Sequence, residues 1–537
     1  MIRKPWNGSD LGVGLTRREL LRRSAIIAAA APVATALAAC GNTSTSASSS
    51  AGSAAAPRRG GNLRVGVLTG GAAETIDPAK AINVPDYCRV WSLFDPMFEF
   101  NSDGSVTPVL LEEASVDDSA QVWTLRLKEG ITFHDGSSLD ATTLMDNILA
   151  WSDSAHYAYG TLGVLIDSGG VTKLDARTVR IPLKTANARF PELCTTANAL
   201  ISKPGATKDS PPIGTGAFVL GDFQPGSSST FTRNPNYWRA GQPYLDQLTV
   251  VSSFRDDSAR YNALVGGEVD AMPYMPYLQA KSAANGGQVT VLRSPSTQFY
   301  AFYMRVDTPP FDDVRVRQAV RFACDRQALV DTVFAGLGSV GNDLAPRDVQ
   351  FYDASLKRDQ DIEQARSLLR EAGQEGLKLT FQTSGGAAPG FNEAAALLQE
   401  QARSAGMDIK LQSEDPGQYF NASTLYLKMP FAQTYWTIAQ TLQLYWSQAL
   451  TSSAPYNETH WRSERTDKLF AEANAAKDDG LAEELWHELQ QEQFNEGGYV
   501  IWGYQDTVDG LSPKVKGLEA NLFGNLDNYR LARAWMA

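Results

Sequence analysis

Between Leu377 and Tyr435 the hydrophobic period switches repeatedly between two and 3.6 residues, and this alternation restricts the fold of the chain more than any other feature. It predicts a strand (Leu377 to Gln382), a helix (Phe391 to Ala405, closed by Gly406), a strand (Met407 to Gln412), a helical stretch and a further strand (Met429 to Tyr435). Strands alternating with helices form βαβ units and a mostly parallel sheet, so the fold class is α/β. Ligands of such sheets bind beyond the carboxyl ends of the strands. This places Thr434, Tyr435 and Trp436 at a candidate cleft edge. Upstream, Asp312 or Asp313 caps a helix whose apolar stripe runs through Val316, Ala319, Val320 and Ala323 to Leu329, Val330 and Val333. A helix from Ile362 ends at Gly373. In the first half, Leu63 to Leu68 reads as a strand, Val122 to Phe133 as a half-buried strand pair, and His134-Asp135-Gly136 as a turn. A helix from Ala141 to Trp151 and a strand from Val179 to Leu183 follow.

A chain of 537 residues exceeds what one hydrophobic core organises, so two or more lobes are expected. The net charge of −12 argues against a nucleic-acid surface, which needs a basic field. The first 39 residues are different: they carry six bases and only two acids. There, Thr16-Arg17-Arg18-Glu19-Leu20-Leu21 precedes an apolar run from Ala25 to Ala39, too short for a bilayer-spanning helix but suited to a secretory signal. Arg17 and Arg18 resemble the pair of a twin-arginine export signal. Leu37-Ala38-Ala39-Cys40 resembles a lipobox, whose cysteine takes a lipid as a thioether. Residues 1–39 therefore read as a signal peptide and 40–58, rich in Ser, Ala, Gly and Thr, as a lipidated tether.

Cys88, Cys194 and Cys324 form no disulfide framework and no zinc pattern; Cys324 sits on an apolar helical stripe, and a Cys88–Cys194 bond stays open. Gly336-Leu-Gly-Ser-Val-Gly341 spells GxGxxG, yet a helix precedes it where a dinucleotide loop needs a strand, so it reads as a helix-ending turn. His134 reads as structural, and His156, His460 and His487 lack ligand spacing. No nucleophile elbow, Walker loop or HExxH motif occurs. No catalytic residue, metal or cofactor is expected.

Several segments resemble the family 5 extracellular solute-binding proteins of ABC importers. They are Pro108-Val-Leu-Leu-Glu-Glu-Ala114, Trp123-Thr-Leu-Arg-Leu-Lys-Glu-Gly-Ile-Thr-Phe-His-Asp-Gly136, Pro212-Ile-Gly-Thr-Gly-Ala-Phe218, Arg233-Asn-Pro-Asn-Tyr-Trp238 and Gly267-Glu-Val-Asp270. Pro309-Pro-Phe-Asp-Asp-Val-Arg-Val-Arg-Gln-Ala-Val320 and Asp325-Arg-Gln-Ala-Leu-Val330 follow in order. The resemblance implies a two-lobed type II (Venus-flytrap) periplasmic-binding-protein fold. Lobe one would comprise 59–80, 206–300 and 497–537, with an inserted subdomain at 81–205; lobe two would be 301–496. Hinge strands would lie near Tyr300–Met304 and Tyr499–Trp502. The implied protein is a monomer on the outer face of the cytoplasmic membrane that hands a small solute or peptide to a permease. The alternative is a receptor of the same fold coupled to a membrane sensor. Where peptide-binding relatives place an amine-binding aspartate three residues after a Trp, this chain has Ala439 after Trp436, and no acid occurs between Asp415 and Glu458. Arg305 stands where relatives often carry Asn; it either pairs with an anionic ligand or faces solvent. The resemblance thus implies a ligand that is neutral or anionic at the end facing Trp436, with stacking from Trp436 and Tyr435.

Overall fold

The computed structural model describes residues 56–101, 104–205, 211–284, 286–437 and 441–537. The export signal with Arg17 and Arg18, the proposed anchor Cys40 and Ala439 lie outside the described residues. Three main sheets organise the rest. The first has seven strands in the spatial order Thr290–Ser294, Thr507–Leu511, Ala271–Met272, Asn62–Leu68, Gln247–Phe254, Ser228–Arg233 and Phe218–Gln224. The second has six: Gly338–Val340, Tyr499–Gln505, Phe299–Met304, Phe431–Trp436, Lys378–Thr383 and Asp408–Ser413. The third is a four-stranded antiparallel sheet spanning Leu111–Val116 to Thr178–Pro182. Separate apolar cores fill the spaces behind the sheets.

The second sheet corrects the expectation of a mostly parallel one. Lys378–Thr383 runs parallel to both Asp408–Ser413 and Phe431–Trp436, as βαβ logic requires, but the remaining pairs are antiparallel. The cause is topological. Phe299–Met304 arrives from the first sheet and Tyr499–Gln505 returns to it, so these neighbours run in opposite directions. The helical stretch expected before Phe431 is only a short 3₁₀ turn, Tyr426–Lys428.

Likewise the long helix expected after Asp313 is two helices. Asp313 accepts from the Arg315 amide to start Val314–Ala323, and Asp325 accepts from the Ala328 amide to start Arg326–Val333. Cys324 sits between them in extended conformation, buried but off any helical stripe. A second capping aspartate ends one stripe and starts another. Cys88, Cys194 and Cys324 are all free buried thiols, so no Cys88–Cys194 bond forms.

The segments that carry the family resemblance are structural joints. Arg321 donates to the carbonyls of Tyr499 (2.8 Å) and Phe494 (2.8 Å), tying its helix to the start of the returning strand. Asp343, fully buried, is met by Arg326 (2.6 Å) and Arg358 (2.7 Å). In Pro212 to Phe218, a Cβ on Gly214 would stand 1.9 Å from the Leu93 carbonyl oxygen, so only glycine fits. His134 bonds the Gly216 carbonyl (3.0 Å) through Nε2, and Asp95 accepts from Thr215, Tyr237 and Trp238. Gly336 closes a helix at φ +77°, and Gly338–Val340 continues as an edge strand, which leaves no phosphate loop.

Candidate ligand-binding cleft

Phe431–Trp436 pairs with Phe299–Met304 in the register Thr434↔Ala301, Tyr435↔Tyr300 and Trp436↔Phe299. Successive residues of a strand face opposite sides, so Tyr435 and Trp436 do not flank one ligand together. On one face Tyr435 stacks on Tyr300, with ring centroids 5.7 Å apart, and packs against Phe391 and Phe420. On the other, the Trp436 indole N–H donates to Glu458 (3.2 Å), and its ring meets Tyr445 edge-on. Glu458 also accepts from the Tyr426 hydroxyl (2.8 Å), which in turn lies 2.9 Å from Thr434 Oγ1. This carboxyl is fully buried, and desolvation raises it to about 7. Thr434 and Trp436 are thus anchored from behind by a polar network.

Arg305 is not brought to Trp436. Its guanidinium pairs with Asp307 (3.0 Å) and donates to the Lys428 carbonyl. Its amide bonds Pro430, six residues and roughly 20 Å along the strand from Trp436. The local carboxylate captures the arginine, so the anionic half of the ligand expectation loses its partner.

Beyond the carboxyl end of Phe431–Trp436 lies a cavity of about 490 Å³, within the range of small-molecule sites. Thr437 and Leu444 line it from the second sheet's side, Thr195 and Asn198 from the segment after the third sheet, and Tyr274 from the first sheet. The helix Val84–Leu93, capped by Asn83, supplies another wall. Cys88, Arg89 and Ser92 turn inward, while Val84, Tyr87 and Trp91, at i, i+3 and i+7, line the cavity. A larger cavity of about 840 Å³, lined by Leu165, Asn187 and Phe470 among others, adjoins it at Leu444.

Asp509 holds the remaining wall. Buried on Thr507–Leu511, it accepts from the Leu526 amide (2.6 Å), the Asn525 side chain (2.6 Å) and the Tyr274 amide (3.3 Å). Tyr274 has φ +52°, and Leu526, Asp527, Asn528 and Tyr529 run in sequence at φ +48° to +58°. Left-handed backbone costs roughly 1–2 kcal/mol per residue, and runs of it are rare outside places that over-determine them. Asn528 and Tyr529 of that turn line the cavity. Sequence reading missed this wall. Its one signal was the Asn and Asp content of Asn525 to Asn528, the residue types that tolerate left-handed backbone. Among the described residues no cluster of His, Cys, Asp and Glu is arranged to hold a metal.

Residues 105–458, well over half of the chain, match the bacterial extracellular solute-binding proteins, family 5 Middle. The chain belongs to this family. Its relatives include the glutathione-binding protein GsiB of Escherichia coli strain K12, 27% identical over 364 residues, covering 66% of this chain and 70% of that one. HbpA2 of Haemophilus parasuis superposes with a TM-score of 0.77 at 21% identity, covering 89% of this chain and all of that one. The periplasmic binding protein DppA of Helicobacter pylori, solved with the peptide STSA, gives 0.70 at 19%, covering 89% and 98%. The fold is that of the type II periplasmic binding proteins. Family 5 proteins bind peptides or small ligands for ABC permeases, and this member is a binding protein, not an enzyme.

Proposed function

We propose that the protein is an exported, lipid-anchored receptor that captures a small solute in the 490 Å³ cavity and delivers it to an ABC permease by closing its lobes. The observation that carries this reading is a cavity walled from both sheets, with two chain crossings between them among the described residues. The crossings, at 295–298 and 506, run side by side: the Gln505 amide bonds the Gln298 carbonyl (2.9 Å) and the two side-chain amides bond each other (2.6 Å). A paired, narrow bridge bends more readily than a packed interface, and a ligand touching both walls selects the closed form. The lobe boundaries would move from 300/301 and 496/497 to these crossings, giving lobe one 59–94, 206–294 and 507–537 and lobe two 299–505. The insert would start after Phe94 instead of at 81, because Cys88, Val90 and Leu93 share the first sheet's core. Thr434 and Trp436 would shape the cleft edge and Thr437 would touch the ligand. The peptide and glutathione named for the relatives support import of a solute of this size. No helix among the described residues is long and apolar enough to cross a membrane, and the basic head ending at Cys40 supports anchoring by lipid. Small-angle scattering tests closure: a saturating ligand from a thermal-shift screen should reduce the radius of gyration. Superimposable profiles with and without ligand would rule the mechanism out.

A further inference from the structure

Building on the receptor reading, we infer that the solute is an uncharged, polyhydroxylated molecule of oligosaccharide type. Among the described residues, none that line the 490 Å³ cavity carries a charge: its walls are aromatic, aliphatic, amide and hydroxyl. The carboxylates behind the walls are already engaged. Asp509 holds Leu526 and Asn525, Asp527 pairs with Arg530 (2.6 Å), and Asp86 accepts from the Thr75 amide (2.8 Å). Closing the lobes over a free peptide would bury an ammonium and a carboxylate against walls that offer no counter-charge, and an unpaired buried charge is strongly disfavoured.

What the walls do offer suits a sugar. Asn83 uses its Oδ1 to cap the Asp86 amide, which leaves its NH₂ as donor. Asn198 spends its NH₂ on the Pro78 and Ala81 carbonyls (2.7 and 3.0 Å), which leaves its Oδ1 as acceptor. Both assignments are fixed by backbone partners. A hydroxyl donates and accepts at once, so it matches this pairing as an ammonium or a carboxylate does not. Tyr87, Trp91 and Tyr529 add aromatic surface, on which the C–H face of a sugar ring packs while its hydroxyls reach the amides. Adjoining spaces do carry carboxylates: Asp257 and Asp506 beyond Tyr274 pair with Arg260 and Arg293, Asp467 beyond Leu444 accepts from the Ser452 amide, and Glu192 lines a recess with Phe100 and Phe523. Burial raises its carboxyl to about 7, so the neutral acid is favoured below that pH.

Calorimetric titration of the full chain decides between the two chemistries. The probes are cellotriose, maltotriose and N,N′-diacetylchitobiose on one side, trialanine and glutathione on the other. At least one neutral sugar should bind about tenfold tighter than either peptide. Trp91→Ala should weaken that sugar by about tenfold or more when measured well below the variant's own melting temperature, and Glu192→Gln should leave it within about twofold. The inference is overturned if a peptide binds about tenfold tighter than every sugar, if no sugar binds, or if Glu192→Gln abolishes binding. Lobe closure by scattering with a bound peptide would keep the receptor reading while this one falls.

Discussion

Glu458 is buried, accepts from the Trp436 indole and the Tyr426 hydroxyl, and has the Tyr499 and Thr434 hydroxyls close by, with no cation among the groups that set its protonation. Desolvation dominates, so its folded-state value of about 7 lies above the roughly 4.3 of an unfolded chain. A carboxyl raised on folding contributes stability that is full below pH ~4.3 and lost as the pH climbs through ~7. Glu458→Gln removes this titration while keeping an acceptor for Trp436. The stability of wild type relative to Glu458→Gln, read from urea unfolding, should therefore be greater at pH 5 than at pH 8. A difference that stays constant would show that Glu458 does not titrate as described. Glu458→Ala leaves its donors orphaned beside a void and should cost about 2–5 kcal/mol at pH 5, and less at pH 8 because the same titration has already weakened the wild type. In the sequence this residue was visible only as the far limit of an acid-free stretch. It lies 22 positions beyond Trp436, and no local pattern encodes a contact made across that separation.

At the scale of elements, periodicity served well where one face of a segment is buried, as in the helix Phe391–Ser404 and the strands around it. It failed where a side chain other than the apolar ones sets the geometry. Asp325 interrupts one helix, and Asp509 imposes a left-handed turn on residues 526–529 that no hydrophobic period describes. That turn makes its own prediction. Asn528 has φ +54°, tolerable for Asn, free for Gly and strained for a β-branched side chain. Asn528→Val should destabilise the protein by about 1–2 kcal/mol, and Asn528→Gly by no more than a few tenths. Because Asn528 lines the cavity, the valine variant should lose ligand affinity as well. Equal unfolding midpoints for both variants would mean that the turn is not left-handed in solution.

For the whole molecule, the order of short segments revealed the architecture because those segments are joints: each fixes one strand or helix against another distant in sequence. The cleft chemistry was less legible, since its walls come from at least five separated stretches and Arg305 is drawn away by Asp307 only two residues on. The proposed lipid anchor makes the last prediction at this scale. Thirty-nine residues with a basic start and an apolar run end at Cys40, followed by a Ser- and Ala-rich stretch without hydrophobic period. One acyl chain holds a protein only marginally, at about 0.8 kcal/mol per buried methylene, whereas a diacylglyceryl thioether supplies two chains. Cys40→Ala removes the one thiol that can carry them. The variant should take up no labelled fatty acid and should leave the membrane fraction on cell breakage, or remain as the longer, uncut precursor. Undiminished fatty-acid labelling of Cys40→Ala would refute anchoring at this residue, and the receptor would then need another means of staying beside its permease.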